Sequence, residues 1–165
     1  MTILGIDPGT ADLGYGVLGA AGGRLHPLAH GTVTTPAGLP LERRLATIFT
    51  RVRELLDAHE VEAVALEDLY VGGNPRTVLS VGHARGAVLA ASGLAGIPAT
   101  AYAPAEVKGA VCGFGRAGKD QVQRMVGAIL GLQLAPADEH AADALAVAIC
   151  HAQRARSPLV VGGGR

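Results

Sequence analysis

The chain has 165 residues, of which 49% are hydrophobic and 17% are charged, and its formal net charge is zero. These proportions predict one folded domain with a sizeable core and exclude a disordered chain. Zero net charge argues against non-specific attraction to nucleic acid, but it does not exclude a local basic patch.

The first third of the chain predicts three antiparallel strands, of which the last two are joined by a glycine turn at 22–23. The first strand ends directly at Asp7. Gly14 and Gly16 weaken the second strand, but they would let another part of the chain approach its backbone closely. The three strands are expected at residues 3–6, 12–18 and 25–34.

The rest of the chain predicts helices that alternate with strands. Apolar residues recur at helical spacing from Leu41 to near His59. Asn74 and Pro75 are typical of a helix start. Strands are expected at 61–66 and 97–102, helices at 41–59, 75–91, 119–130 and 138–156, and residues 104–111 are compatible with a further short helix.

This order, βββαβαβαα, predicts an α/β fold in which three antiparallel and two parallel strands form one mixed sheet with helices on both faces. The single domain is expected to span 1–156, and the tail at 157–165 is expected to be disordered. Gly82 and Gly86 share one helix face, where small residues permit close contact either within the core or between two copies of the chain.

The cysteines and the apolar segments indicate the compartment. Cys112 and Cys150 lack metal-site spacing and are typical of reduced, buried thiols. Met1 leads directly into a strand, which predicts no secretory signal. Glycine and proline interrupt the uncharged stretch at 87–105, so it does not predict a membrane-spanning helix. We therefore expect a soluble, cytoplasmic protein.

Acidic residues follow two of the predicted strands. Asp7 is either a residue that bonds the following turn or a metal-binding or catalytic carboxylate. Glu67 repeats the pattern after the strand at 61–66. If these strands are parallel neighbours, the two carboxylates lie side by side, where a cation would relieve their repulsion.

A third group of acids stands at the start of the last helix. His140 and Asp143 are three residues apart and share a helix face. Asp143 is also the only charge in a long apolar run. For Asp138 and Glu139 we favour a simple role as helix-start acids. With Asp7 and Glu67, the pair gives three oxygen donors and one imidazole, which predict one or two divalent ions, as in phosphodiester cleavage.

The glycine-rich segment at 113–118 matches parts of two nucleotide-binding patterns. No predicted strand precedes it, and Asp120 stands where a phosphate-binding loop needs Ser or Thr, so a nucleotide site is disfavoured. A flexible loop that brings Lys119 and Arg116 to a phosphate backbone is the better interpretation, with Lys108 in the same patch.

Seven short motifs follow one another along the chain. They are G-I-D-P-G-T at 5–10, G-Y-G-V at 14–17, L-E at 66–67, G-H-A-R-G at 82–86, V-K at 107–108, G-K-D-Q-V-Q at 118–123 and H-A-A-D-A-L-A at 140–146. In this order and spacing they resemble the RuvC Holliday junction resolvases, crossover junction endodeoxyribonucleases of the RNase H-like superfamily. The resemblance extends to about residue 155.

The resemblance implies a homodimer that binds four-way DNA junctions and nicks two strands symmetrically, leaving 5′-phosphate and 3′-hydroxyl ends. It implies Mg²⁺ or Mn²⁺ as cofactor, two ions per site, a dimer formed through the helix at 75–91, and RuvA and RuvB as partners. Tyr70, which otherwise covers the edge of the core, would contact the junction. The family's metal-binding and catalytic positions fall on Asp7, Glu67, His140 and Asp143, and its lysines on Lys108 and Lys119.

His140 departs from the family pattern, because well-known members carry aspartate there. Imidazole is a poor magnesium ligand and a better manganese ligand. We therefore expect a preference for Mn²⁺, with His140 either binding the metal or acting on the proton of the attacking water. The alternative function is that of an RNase H-like nuclease acting on another RNA or DNA structure.

Overall fold

The computed structural model describes residues 1–68 and 74–156, in which the chain forms one sheet flanked by helices. The strands are β1 (Thr2–Asp7), β2 (Asp12–Ala21), β3 (Arg24–Thr34), β4 (Ala63–Glu67) and β5 (Ala99–Tyr102). The helices are α1 (Leu41–Ala58), α2 (Pro75–Leu94), α3 (Pro104–Cys112), α4 (Lys119–Leu130) and α5 (Glu139–Arg156), and α5 follows a single 3-10 turn at Pro136–Asp138.

The sheet has the strand order β3-β2-β1-β4-β5. β2 pairs antiparallel with β1 and β3, whereas β4 runs parallel to both β1 and β5. The expected mixed α/β fold is therefore confirmed. Its central strand, β1, ends beside β4, so the carboxyl ends of two parallel strands open on the same edge of the sheet.

Several element bounds differ from the sequence prediction. β2 continues to Ala21 rather than 18, and β4 and β5 begin at Ala63 and Ala99 rather than at 61 and 97. The sequence predicts that the second helix ends near Ala91, but α2 continues to Leu94. Gly93 stays helical, and the chain turns instead at Gly96, which has a φ of +69°. The segment after β5 forms a full helix of 9 residues, α3, so three helices follow β5 rather than the two in the expected order.

Two apolar layers enclose the sheet. On one face, buried residues of β1 and β4 pack with α1 and α2, as Leu4 and Ile6 do. On the other face, Ile3 and Ala65 belong to a cluster with residues of α3, α4 and α5. Successive residues of β1 thus point to opposite faces, as the strand period of two requires. Asp7 continues the series of Ile3 and therefore faces α5.

Helix α5 lies closer to the sheet than a side chain would permit. A Cβ at Gly5 would overlap the carbonyl oxygen of Ala144, and a Cβ at Gly14 would overlap that of His140. Gly16 is likewise in close contact with α5. The expectation that glycines at 14 and 16 admit another part of the chain is confirmed, and the part admitted is the backbone of α5.

The two cysteines lie in helices α3 and α5. Cys112 and Cys150 are both free thiols. Burial raises the pKa of each above its usual value, which disfavours the reactive thiolate. Within the described ranges, no helix combines the length and apolar character that crossing a membrane requires.

The contact between α5 and β1 predicts that one methyl group added at Gly5 strongly destabilises the folded protein. In Gly5→Ala, the new Cβ would meet the Ala144 carbonyl and lie 2.9 Å from the Ala148 Cβ. We expect the free energy of unfolding, measured by urea denaturation, to fall by about 2 kcal/mol or more. Gly19→Ala is the matched control on β2, because its Cβ would lie 3.7 Å from the nearest atom, a Leu28 methyl. Equal stability of the two variants would contradict this account of the packing.

Candidate active site

Two acidic residues leave the sheet at neighbouring strand ends. β1 and β4 run parallel, and Ile6 pairs with Leu66 in register. Asp7 and Glu67, the next residue on each strand, therefore stand side by side, as the sequence pattern predicts for parallel neighbours. The charge of Asp7 contributes to a raised pKa of Glu67, so the two carboxylates are close enough to repel each other.

Helix α5 brings two further side chains to these strand ends. His140 Nδ1 lies 2.9 Å from Asp7 Oδ2. Asp143 follows three residues later and lies on the same helix face. The pKa of Asp143 is raised by burial and by the charge of Asp7, although Lys119 and His140 act in the opposite direction. Since Gly14 carries no Cβ, β2 permits the His140 backbone to lie directly over the sheet.

Glu67 shows how strongly the negative charges are concentrated. Burial, followed by the charges of Asp7 and Asp143, raises the pKa of Glu67 to about 7. Lys108 and Lys119 lower it, but they do not compensate fully. A carboxyl group that titrates near neutral pH is typical of a functional site, because a structural surface carboxylate would ionise at lower pH.

Two lysines face the acids across a small cleft. Lys119 Nζ lies 3.5 Å from Asp143 Oδ2 and 3.4 Å from Glu139 Oε2. Burial lowers the pKa of Lys119, but the two carboxylates outweigh it, so the pKa is raised and the side chain stays protonated. The cleft, of about 150 Å³, is lined by Glu67, Asp143, Lys108 and Lys119 and by the apolar residues Pro104, Val107, Val122 and Ala146.

The donor chemistry of these side chains fits a divalent cation. Asp7, Glu67 and Asp143 supply carboxylate oxygens, His140 supplies an imidazole, and a cation would favour the ionised form of Glu67. In residues 1–68 and 74–156, no three His, Cys, Asp or Glu side chains already form a metal-binding group. Asp7 pairs instead with His140 and Asp143 with Lys119, so an ion would replace these protein partners.

One of the proposed DNA-binding residues does not join this cluster, and another lies outside the described residues. Arg116 lies exposed in the segment between α3 and α4 and does not line the cleft. Tyr70 lies outside the described residues, and so does the tail at 157–165. The interpretation of Tyr70 as a junction contact therefore stays a prediction.

The acids at the start of α5 have different partners. Asp138 Oδ2 accepts a 2.8 Å hydrogen bond from the backbone amide of Ala135, in line with a helix-start role. Glu139 pairs with Lys119 and its Oε1 lies 4.0 Å from His140 Nε2. Glu139 thus contacts two site residues, which its helix-start position alone did not indicate.

Two residues of α2 contact the strand ends, although the sequence alone indicates no role for them. Arg85 Nη1 donates a 2.8 Å hydrogen bond to the backbone carbonyl oxygen of Glu67. The Ser80 hydroxyl bonds the hydroxyl of Thr10, in the turn that follows Asp7. The only sequence signal was the position of Arg85 in the motif at 82–86, and nothing in the sequence distinguishes Ser80 from a surface serine.

Comparison with known proteins identifies a family. The family model described as crossover junction endodeoxyribonuclease RuvC matches residues 3–151. A protein of that name from Moorella thermoacetica is 52% identical over 152 residues, which are 92% of this chain and 91% of that protein. Another from Rubrobacter xylanophilus is 47% identical and covers 99% of this chain and 91% of its own length.

Solved structures agree with the sequence comparison. Thermus thermophilus RuvC in complex with Holliday junction substrate is similar, with a TM-score of 0.88 and 43% identity over 94% of this chain and 95% of that one. The yeast mitochondrial Holliday junction resolvase has a TM-score of 0.67 at 13% identity, covering 92% of this chain and 77% of that one, which shows a shared fold alone.

The raised pKa of Glu67 predicts that this side chain destabilises the metal-free protein at high pH. A carboxyl whose pKa rises on folding binds its proton more tightly in the folded state, so stability falls as pH rises from about 4.5 to about 7. In EDTA, Glu67→Gln should therefore be more stable than the parent at pH 8 and equal to it near pH 4. Allowing for solvent screening, we expect a gain of about 1–2 kcal/mol at pH 8 by urea denaturation.

Glu62 provides a control, because its pKa is shifted in the opposite direction. The backbone amide of Thr2 and the N-terminal ammonium lower the pKa of Glu62. Its contribution to stability is present at high pH and lost as pH falls, so Glu62→Gln should reduce stability at pH 8. A Glu67→Gln variant that is less stable than the parent at pH 8 would contradict the electrostatic account of the site.

Proposed function

This chain belongs to the RuvC family of crossover junction endodeoxyribonucleases, and we propose from its geometry how its own residues carry out that activity. It is a hydrolase, an endonuclease that resolves Holliday junctions in DNA recombination and repair. One observation carries the proposal. Three carboxylates, one imidazole and two lysines converge at the carboxyl ends of two parallel strands.

We infer that Asp7, Glu67, His140 and Asp143 hold the divalent ions on which RuvC nucleases depend, two ions per site and either Mg²⁺ or Mn²⁺. The donor set and the mutual repulsion of its carboxylates support this assignment. When bound, the ions supply a hydroxide nucleophile from water and stabilise the leaving 3′-oxygen. This chemistry leaves 5′-phosphate and 3′-hydroxyl ends.

The lysines bind and orient the DNA phosphates. Lys108 and Lys119 line the cleft beside Glu67 and Asp143, so a phosphodiester that enters between them exchanges water for two ammonium groups. When an ion replaces Lys119 as the partner of Asp143, Glu139 remains to hold the ammonium group, which reduces the cost of orienting this long side chain. Arg116 and Tyr70 bind the flanking DNA in this proposal.

His140 sits where it can act on either a metal or a proton. Its Nδ1 bonds Asp7, while Nε2 points towards Glu139 at a distance of 4.0 Å. Imidazole both ligates transition metals and accepts protons near neutral pH. The residue therefore either joins Asp7 in binding an ion or takes the proton of the attacking water.

We also propose that two copies of the chain pair through α2, as symmetric nicking of two strands requires. Leu79 and Leu89 are 62% and 41% exposed. A Cβ at Gly82 or Gly86 would meet no atom within 4 Å in the described part of the chain. These four residues share one helix face, opposite the buried face that contains Val88.

Other features of the proposal extend beyond the site. Residues 1–156 form the nuclease domain, with 157–165 as a tail. RuvA and RuvB as branch-migration partners, and a cytoplasmic location, are predictions from the resemblance to the family.

The site assignment predicts that Asp7→Asn abolishes cleavage while junction binding is retained. Loss of this carboxylate removes charge stabilisation of several kcal/mol, so the rate of nicking should fall about 10³-fold or more. Nicking of a synthetic four-way junction is compared with that of linear duplex and RNA–DNA hybrid, and binding is measured by gel shift in EDTA. Asp57→Asn, at an exposed ion pair on α1, is the control with parental activity. Full activity of Asp7→Asn would refute the site, and preferred cleavage of the hybrid would refute the junction substrate.

His140 predicts a preference for Mn²⁺ over Mg²⁺, which aspartate at this position would weaken. The ratio of nicking rates in Mn²⁺ and Mg²⁺ should fall about 10-fold in His140→Asp, because carboxylate suits Mg²⁺ better than imidazole does. His30→Asp, at an exposed position on β3, should keep the parental ratio. The same ratio in His140→Asp and the parent would refute metal selection by His140.

A further inference from the structure

Helix α2 contacts both strand ends that carry the site carboxylates. Arg85 Nη1 donates to the backbone carbonyl of Glu67 at 2.8 Å, and its Nη2 lies 3.5 Å from the Asp68 carboxylate. One and a half turns earlier, Ser80 bonds the hydroxyl of Thr10, three residues beyond Asp7. A single helix is therefore tied to the exit of β1 and to the exit of β4.

Both contacts are shielded from solvent. The Arg85 side chain is 17% exposed and Thr10 is 6% exposed. The carbonyl of Thr10 also accepts a 2.5 Å hydrogen bond from the Thr35 hydroxyl, which in turn accepts from Arg44 Nε at 2.8 Å. The turn after Asp7 is thus part of a hydrogen-bonded network that is partly shielded from water, which strengthens such bonds.

The helix that makes these contacts is fixed to the core. Ser80 lies on the same face of α2 as Ala84, Val88 and Ala91, which are all fully buried in the core cluster that α2 shares with α1 and the sheet. Because an α-helix is a stiff element, the two contacts set the positions of the strand ends relative to each other. The parallel ladder joins β1 and β4 as far as Ile6 and Leu66, so the two contacts restrain the chain just beyond it, where Asp7 and Glu67 stand side by side.

We propose that Arg85 and Ser80 are positioning residues, which hold the Glu67 and Asp7 strand ends at the separation that divalent ions need. The contacts of these two side chains are not with the carboxylate groups of Glu67 and Asp7 themselves. Arg85 acts through the main chain of Glu67, and Ser80 acts through the turn that follows Asp7. This inference rests on the proposed function, because it assumes that these two acids bind the ions.

The test compares Arg85→Ala and Ser80→Ala with the parent in three measurements. Mn²⁺ binding to the metal-free protein is measured by titration calorimetry. Single-turnover nicking of a four-way junction is measured against Mn²⁺ concentration, and junction binding is measured in EDTA. We expect Mn²⁺ binding to weaken 10- to 100-fold, as it does when residues that support metal ligands are removed. Junction affinity in EDTA should stay within about 2-fold of the parent.

Ser92→Ala is the matched control on the same helix. The Ser92 hydroxyl donates a 2.5 Å hydrogen bond to the carbonyl of Ile97, and Ser92 is 1% exposed, so its loss also removes a buried hydrogen bond. It lies at the far end of α2, and its variant should lose stability without any loss of Mn²⁺ affinity. Arg85→Lys and Ser80→Thr, which keep a hydrogen-bond donor, should restore part of the affinity and remain usable if an alanine variant does not fold.

Two results overturn the inference. The first is Mn²⁺ binding in Arg85→Ala and Ser80→Ala that is no weaker than in Ser92→Ala. The second is loss of junction binding in EDTA to the same degree as loss of Mn²⁺ binding, which would indicate a general structural role. Failure of the proposed function is distinguishable, because the parent itself would then fail to nick the junction.

Discussion

The close contact between α5 and the glycine face of β1 and β2 determines the geometry of the candidate active site. Gly5 and Gly14 let the carbonyl oxygens of α5 lie where side chains would otherwise stand. This brings the first turns of α5 over the end of β1, so that His140 reaches Asp7 and Asp143 faces the cleft. A bulkier residue in either strand would move the helix outward and would separate half of the site from the other half.

The site concentrates negative charge in a chain whose net charge is zero. Burial and mutual repulsion raise the pKa of Glu67 and Asp143, so part of the folding free energy is spent on holding these carboxylates together. The chain's only two lysines, Lys108 and Lys119, line the same cleft and partly compensate. A neutral protein can thus place lysines and acidic side chains together at one point, where the proposed binding of phosphate and metal takes place.

Helix α2 combines two roles on two of its faces. The face with Gly82 and Gly86 is open, and the proposed pairing of two copies takes place there. The opposite side is buried and carries Ser80, with Arg85 on its flank, and both contact the strand ends. Since one helix provides both surfaces, the proposed pairing of two copies and the proposed placement of the acids depend on the same element. The arrangement connects the symmetry of the proposed dimer with the two cuts that a four-way junction needs.

The sequence by itself determined the order of the strands and of every helix except α3, the mixed sheet and the four side chains predicted for the candidate site, because apolar periodicity, an acid at a strand end and two polar residues on one helix face are local patterns. It misjudged the end of α2 and left α3 open, since a glycine or a short apolar segment can continue a helix or end it. The contacts between Asp7 and His140, Thr10 and Ser80, and Glu67 and Arg85 were decided only by the tertiary structure. These partners lie 133, 70 and 18 residues apart. Gly14 and Gly16 indicated that some part of the chain approaches β2 closely, but no local pattern identified that part as α5.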